Sequence, residues 1–214
     1  MPLLTAAILL LAGCQGEDKQ GGSEAPARTE GPSCAQVFSA QGKEAIKRMV
    51  DIPASSSTTF LGHPQEAAER LVAQYDAGTP DKSSAVDFCD VHKEAAGLDS
   101  AQVNFSLTQD VPERGKSASV FKEYRMAKAA LVGTKVGVLY FECTSKQWAA
   151  GTGATALVRG EVRSRYETSA PDSTARQDAL RVIYESSLSI SELLGCKSNA
   201  GLPAAFTMPP ELAK

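Results

Sequence analysis

Four cysteines, Cys34, Cys89, Cys143 and Cys196, constrain this chain more than any other feature. None lies in a CxxC pair, and the chain has only two histidines, so a zinc site has little support. An even number of well-spaced cysteines in an exported chain reads as two disulfides, with three possible connectivities. Export is the reading of the N-terminus. The apolar run Leu3 to Leu11 is too short to cross a bilayer, which needs about 20 apolar residues, and it fits a signal-peptide core.

The patterns between the cysteines predict an α+β fold. Cys34–Phe38 and Lys43–Val50 read as one or two short helices. Ala45, Ile46, Met49 and Val50 share a face, with Lys43, Lys47 and Arg48 opposite. Pro53 and the run Ser55–Thr59 should end that unit. His63-Pro64 opens a further helix, because proline suits the first helical position, and Gly78-Thr79-Pro80 stops it. Ala68, Leu71, Val72 and Tyr75 make its buried stripe. Val86–Val91 is short and apolar around Cys89.

Gln102–Thr108 alternates as a half-buried strand, with Val103, Phe105 and Leu107 inward. Asp110–Ser117 reads as a polar loop, and Ser119–Leu131 as a strand running into a short helix. Lys135–Cys143 has apolar residues on both faces, which predicts a central strand. Thr144–Gly153 reads as a loop. Ala154–Tyr166 is a further strand, with Val158, Val162 and Tyr166 inward and Arg159, Glu161, Arg163 and Arg165 toward water. Thr174–Leu194 is the longest helix. Thr174 and Gln177 have capping-box spacing, and Gly195 stands where a C′ glycine belongs. Its inner face is Leu180, Ile183, Tyr184, Ser187, Ile190, Ser191 and Leu194. The expected architecture is an antiparallel sheet of three or four strands packed against helices, with two disulfides.

Geometry then selects a cysteine pairing. If the strands ending at Cys143 and starting near Ala154 are antiparallel neighbours, the second leaves the Cys143 end of the sheet. A helix roughly 32 Å long returns across the sheet and brings Cys196 back to Cys143. Cys143–Cys196 follows, leaving Cys34–Cys89. Each bond closes a loop of about 55 residues, for which the chain-entropy model gives an upper figure of roughly 4 kcal/mol.

The segment Leu11-Ala12-Gly13-Cys14 resembles the lipobox of bacterial lipoproteins. The resemblance implies that residues 1–13 are a signal peptide and that Cys14 takes a diacylglycerol thioether and becomes the mature N-terminus. The implied place is the outer face of the cell membrane. Two acyl chains give stable anchoring where one is marginal. No Lys or Arg precedes Lys19, so the basic start of a signal peptide is missing and the true start codon is expected upstream. Residues 14–33 are polar and Gly-rich and read as a disordered tether, reaching on the order of 25 Å. A single domain is expected over residues 34–203, followed by an irregular tail over 204–214. Three stretches also resemble secreted lipoproteins of actinobacteria: Val138–Cys143, Glu192–Cys196 and Asn199–Pro203. That resemblance implies no particular activity.

Candidate chemistry is sparse. Asp87, Asp90 and His92 form the densest set of potential ligands, but their spacing matches no metal-binding pattern and reads as polar surroundings of a structural disulfide. No cofactor is expected. Gly151-Thr152-Gly153-Ala154-Thr155-Ala156 mimics a dinucleotide loop, yet a strand rather than a helix follows it. A hydrolase would have to use His63 or His92, and no GxSxG elbow is present. The arginines Arg159, Arg163 and Arg165 could meet an acidic partner, although a solvated sheet face explains them as well. Trp148 reads as a recognition residue or as a cap over the core. A formal net charge of −3 without a long basic run argues against nucleic acid as a partner. The leading expectation is a non-enzymatic, lipid-anchored binding module of the cell envelope, held to the membrane through Cys14 and able to engage an envelope protein. The alternatives are a solute- or lipid-binding lipoprotein with an apolar cavity, and an envelope hydrolase.

Overall fold

The computed structural model describes residues 31–78, 84–93 and 99–213. The lipobox and Cys14 lie outside the described residues, as do Thr79 and Pro80. The elements run α1 (Cys34–Val37), α2 (Ala40–Met49), β1 (Thr58–Leu61), α3 (Pro64–Asp76), β2 (Val86–Lys93), β3 (Asp99–Thr108), β4 (Lys122–Tyr124), β5 (Ala129–Val132), β6 (Val136–Ser145), β7 (Ala154–Ser164) and α4 (Asp172–Leu193). The class is α+β, but the antiparallel sheet has seven strands, in the order β1-β2-β3-β7-β6-β5-β4, rather than three or four.

The additional strands are short or irregular. β1, β4 and β5 have four, three and four residues, too few to show alternation in a sequence. The segment expected to become a short helix is instead the β4–β5 hairpin, in which Lys122, Glu123 and Tyr124 pair with Val132, Leu131 and Ala130. Thr58 and Thr59, expected to end the first unit, begin β1. β2 is broken by a bulge: Asp87 pairs with Asn104 and Cys89 with Val103, so Phe88 is the extra residue. Phe88 stacks edge-on against Phe105 at 5.0 Å, so both it and Cys89 turn toward the core.

Two meanders, β1-β2-β3 and β4-β5-β6-β7, join where β3 pairs with β7. The connection from β3 to β4 must therefore pass four strand spacings, about 19 Å. It does so across the face opposite the helices, where Val111 and Phe121 pack on Leu131, Val138 and Tyr140.

All helices pack on the other face. α4 lies over β6 and β7, α2 packs on α4, and α3 covers β2 and β3. The inner residues expected of α4, from Leu180 to Leu194, are buried, including the hydroxyl-bearing Ser187 and Ser191. The helix starts three residues earlier than the Thr174 capping spacing suggests. Pro171 supplies an extended N-cap, and Asp172 in the first turn faces the positive helix end and pairs with Arg176 at 2.9 Å. Gly195 takes the left-handed conformation (φ 63°) expected after the helix.

The helix–sheet interface is filled. A Cβ on Gly137 would stand 2.9 Å from the Ala179 carbonyl oxygen, and one on Gly160 would stand 2.6 Å from the Phe105 ring. Arg48, placed by pattern on an outer helix face, instead reaches α4, where its Nε and Nη2 donate to both oxygens of buried Asp178 at 2.9 and 2.7 Å. Those hydrogen bonds, opposed by burial, hold the guanidinium above its ordinary pKa. At the other end of α2, the Glu185 carboxylate accepts from the Ser39 N–H at 2.9 Å and the Ser39 hydroxyl at 2.8 Å. That hydroxyl in turn accepts from the Gly42 N–H at 3.0 Å.

The disulfides are Cys34–Cys89 and Cys143–Cys196, the pairing expected from antiparallel geometry, with Cα separations of 5.6 and 4.9 Å. Both lie on the helix side of the sheet. No helix among the described residues is long and apolar enough to cross a membrane.

Candidate interaction surface

The sheet has one face without helices, and strand register lays out its side chains in rows. Asp87, Asn104, Glu161 and Val138 form one row, and Asp90, Gln102, Arg163 and Val136 the next. Ser106, Arg159 and Tyr140 form a third. The face is thus polar from β2 to β7 and apolar at β6 and β5. Because the side chain period of a strand is two, the same alternation that buries Val158 and Val162 sends Arg159, Glu161 and Arg163 here.

The centre of the face is an ion triad. Glu161 is 9% exposed and is shared by two arginines of its own strand. Arg163 Nε donates to it at 3.0 Å, and Arg159 Nη2 donates to its other oxygen. The single carboxylate offsets one of the two arginine charges, so the triad keeps a net positive charge. Arg165 stays exposed, outside the triad. Beside Arg163 the face turns apolar. Val136 is half-buried, Phe121 packs on the Val138–Tyr140 cluster, and the neighbouring Val120 is 68% exposed.

The two edges of this sheet differ. Among the described residues, the outer edge of β1 has no backbone partner. The β4 edge is occupied by the chain's own tail. Tyr124 and Glu211 form an antiparallel bridge, the Arg125 N–H donates to the Pro210 carbonyl at 3.3 Å, and the Leu212 N–H donates to the Glu123 carbonyl at 2.8 Å. Lys122 pairs with Glu211 at 2.7 Å. Burial, and then the Glu211 carboxylate, push the Tyr124 hydroxyl above its ordinary pKa. Upstream, the tail is held on α4: the Tyr184 hydroxyl donates to the Pro203 carbonyl at 2.6 Å, and Phe206 lies against Tyr184 and under Arg181. Next to the β4 edge is a cleft of about 350 Å³ whose lining includes Arg114, Arg125, Lys128, Leu131 and Leu212.

Comparison with protein-family models, curated proteins and solved structures finds no match for this chain. The surface itself therefore carries the functional reading.

The sequence candidates separate in space. His63 is the exposed N-cap of α3, without a side-chain capping bond. His92 is on β2, in register with Thr59 of β1. Asp87 and Asp90 pair with β3 on either side of the bulge. Among the described residues no three His, Cys, Asp or Glu side chains come together as a group able to hold a metal. Trp148 is a cap: it is fully buried, its indole N–H donates to the Cys143 carbonyl at 2.9 Å, and its ring lies 5.2 Å from Tyr75. The tail at β4 and the Val120–Phe121 patch were not singled out from the sequence. Pro209-Pro210 followed by Glu211-Leu212 was the only signal, and it reads as irregular chain until the partner strand is known.

Proposed function

We propose that this chain is a non-enzymatic binding module of the cell envelope, tethered to the outer face of the cell membrane through lipidated Cys14. The observation that carries the reading is the asymmetry of the sheet. One face is closed by helices and two disulfides, while the other carries an arginine pair bridged by Glu161 beside half-buried Val136, and Val120, next to Phe121, is exposed. Mixed apolar and paired-charge surfaces of this kind suit protein recognition, where apolar contacts supply affinity and charges set orientation. The disulfides support an oxidising compartment.

Two measurements test it. Labelled palmitate should enter the wild-type chain and not the Cys14→Ser chain; equal labelling sinks the anchor. A photo-crosslinking residue at Val120 should capture envelope protein in intact cells, while one at Glu44, exposed on α2, should not. Equal yields at the two positions would remove the open face as the binding surface.

A further inference from the structure

We propose that the β4 edge and its adjoining cleft form a strand-addition site for an extended acidic peptide of a partner protein, and that residues 210–212 are its occupant in the free chain. This rests on the binding-module reading and adds to it a site and a partner chemistry.

The mode of binding is already present in the molecule. The tail runs antiparallel to β4 and makes the two backbone hydrogen bonds that flank the Tyr124–Glu211 pair. Such main-chain bonds supply affinity in strand addition, and pockets for alternate side chains supply specificity. One charged contact and one pocket are here. Glu211 meets Lys122 on the helix side of the strand. The next residue, Leu212, falls on the opposite side and lines the cleft together with Ala129 and Leu131. The site therefore reads an acidic residue followed by an apolar one.

The occupant is a weak one. Pro209 and Pro210 carry no N–H, so the tail cannot extend its ladder backward along β4. Glu211 and Pro210 are exposed, and Leu212 is half-buried. A segment of this kind shields an edge against indiscriminate pairing, yet a better strand can displace it.

Displacement needs contacts that the tail does not make. A strap on the same chain acts at an effective concentration on the order of millimolar, so a peptide arriving from outside must offer more than the same two hydrogen bonds. The cleft offers them. Lys128 is committed to Glu142 at 2.8 Å. Arg114 and Arg125 also line the cleft and are exposed, while buried Glu123, which lines it too, accepts from the Gly115 N–H and the Ser117 hydroxyl. An acidic residue in place of Pro210 would stand opposite Arg125, on the same side of the strand as Leu212. Charge thus selects the partner, and main-chain pairing holds it.

The experiment uses the full chain and two fluorescent peptides. One copies residues 206–213, Phe-Thr-Met-Pro-Pro-Glu-Leu-Ala. The other carries aspartate in place of the second proline. Binding is measured to the wild-type chain and to a Glu211→Ala, Leu212→Asn chain, whose strap is unhooked. At least tenfold tighter binding to the unhooked chain is expected, tighter again for the aspartate peptide, and at least tenfold loss when Lys122→Glu is added. Equal affinity for both chains, no binding to the unhooked chain, or indifference to Lys122→Glu would overturn the proposal. Amide exchange on the wild-type chain guards against misfolding of the variants. The Arg125 and Leu212 N–H groups should exchange at least tenfold faster than those bonded between β5 and β6; exchange together with that ladder would also overturn it. A negative peptide result with preserved crosslinking at Val120 would reject this site and leave the binding-module reading standing.

Discussion

The two faces of the sheet are built from alternate residues of the same strands, yet they are held by different physics. The helix-covered face is filled by apolar side chains and closed with disulfides. Gly137 and Gly160 are there because backbone and rings come too close for any Cβ. The open face is held by lateral interactions between neighbours in one plane: Arg159, Glu161 and Arg163 along β7, and the Val111–Phe121 crossing over β5 and β6. Stability should therefore reside in the first face, and freedom to change partners in the second.

The strongest challenge to that contrast is removal of a cross-link. Replacing Cys143 and Cys196 together by alanine should cost about 2–5 kcal/mol, read from denaturant unfolding. A loss no larger than that of an open-face substitution would erase the distinction. Gly137→Val comes next. Its new side chain would meet the Ala179 carbonyl, which belongs to helix backbone and cannot step aside, so a loss of about 1–3 kcal/mol is expected from overpacking. Thermal melts would check it.

A third effect is linked to pH. Burial raises the hydroxyls of Tyr124 and Tyr184 in the folded chain. The unfolded chain gives up these protons first, from about pH 10. Their contribution is thus complete below that pH and is lost as pH rises through the folded values. Unfolding midpoints should fall above pH 10, and Tyr184→Phe should flatten the fall. The smallest effect belongs to the open face: Val120→Ser should change stability by less than about 0.5 kcal/mol while lowering capture of a partner in crosslinking.

Legibility in the sequence followed the same division. The covered face was readable because long elements repeat their pattern. α4 shows its buried stripe over several turns, and β6 and β7 are ten and eleven residues long. The disulfide pairing followed from those lengths once β6 and β7 were taken as antiparallel neighbours. The short strands were not readable: in β4, Lys122-Glu123-Tyr124 shows no apolar alternation and is a strand only because β5 and the tail flank it. Contacts between distant polar residues were equally hidden. Arg48 meets Asp178, and Glu185 meets Ser39, across more than a hundred residues, and nothing local distinguishes these side chains from solvated ones.

The order of the disulfides along the chain has a consequence for biogenesis. Cys34 joins the next of the four cysteines, Cys89, and Cys143 joins the next after that, Cys196. The two loops follow one another and neither encloses the other. A chain threaded N-terminus first into an oxidising compartment would present each pair in turn, so an oxidant joining cysteines as they emerge would produce the native bonds without reshuffling. The thiol outside this scheme is Cys14, which would emerge before Cys34 and could intercept it. The thioether proposed for Cys14 would remove that competitor, giving the lipid a second role as a protecting group during oxidative folding.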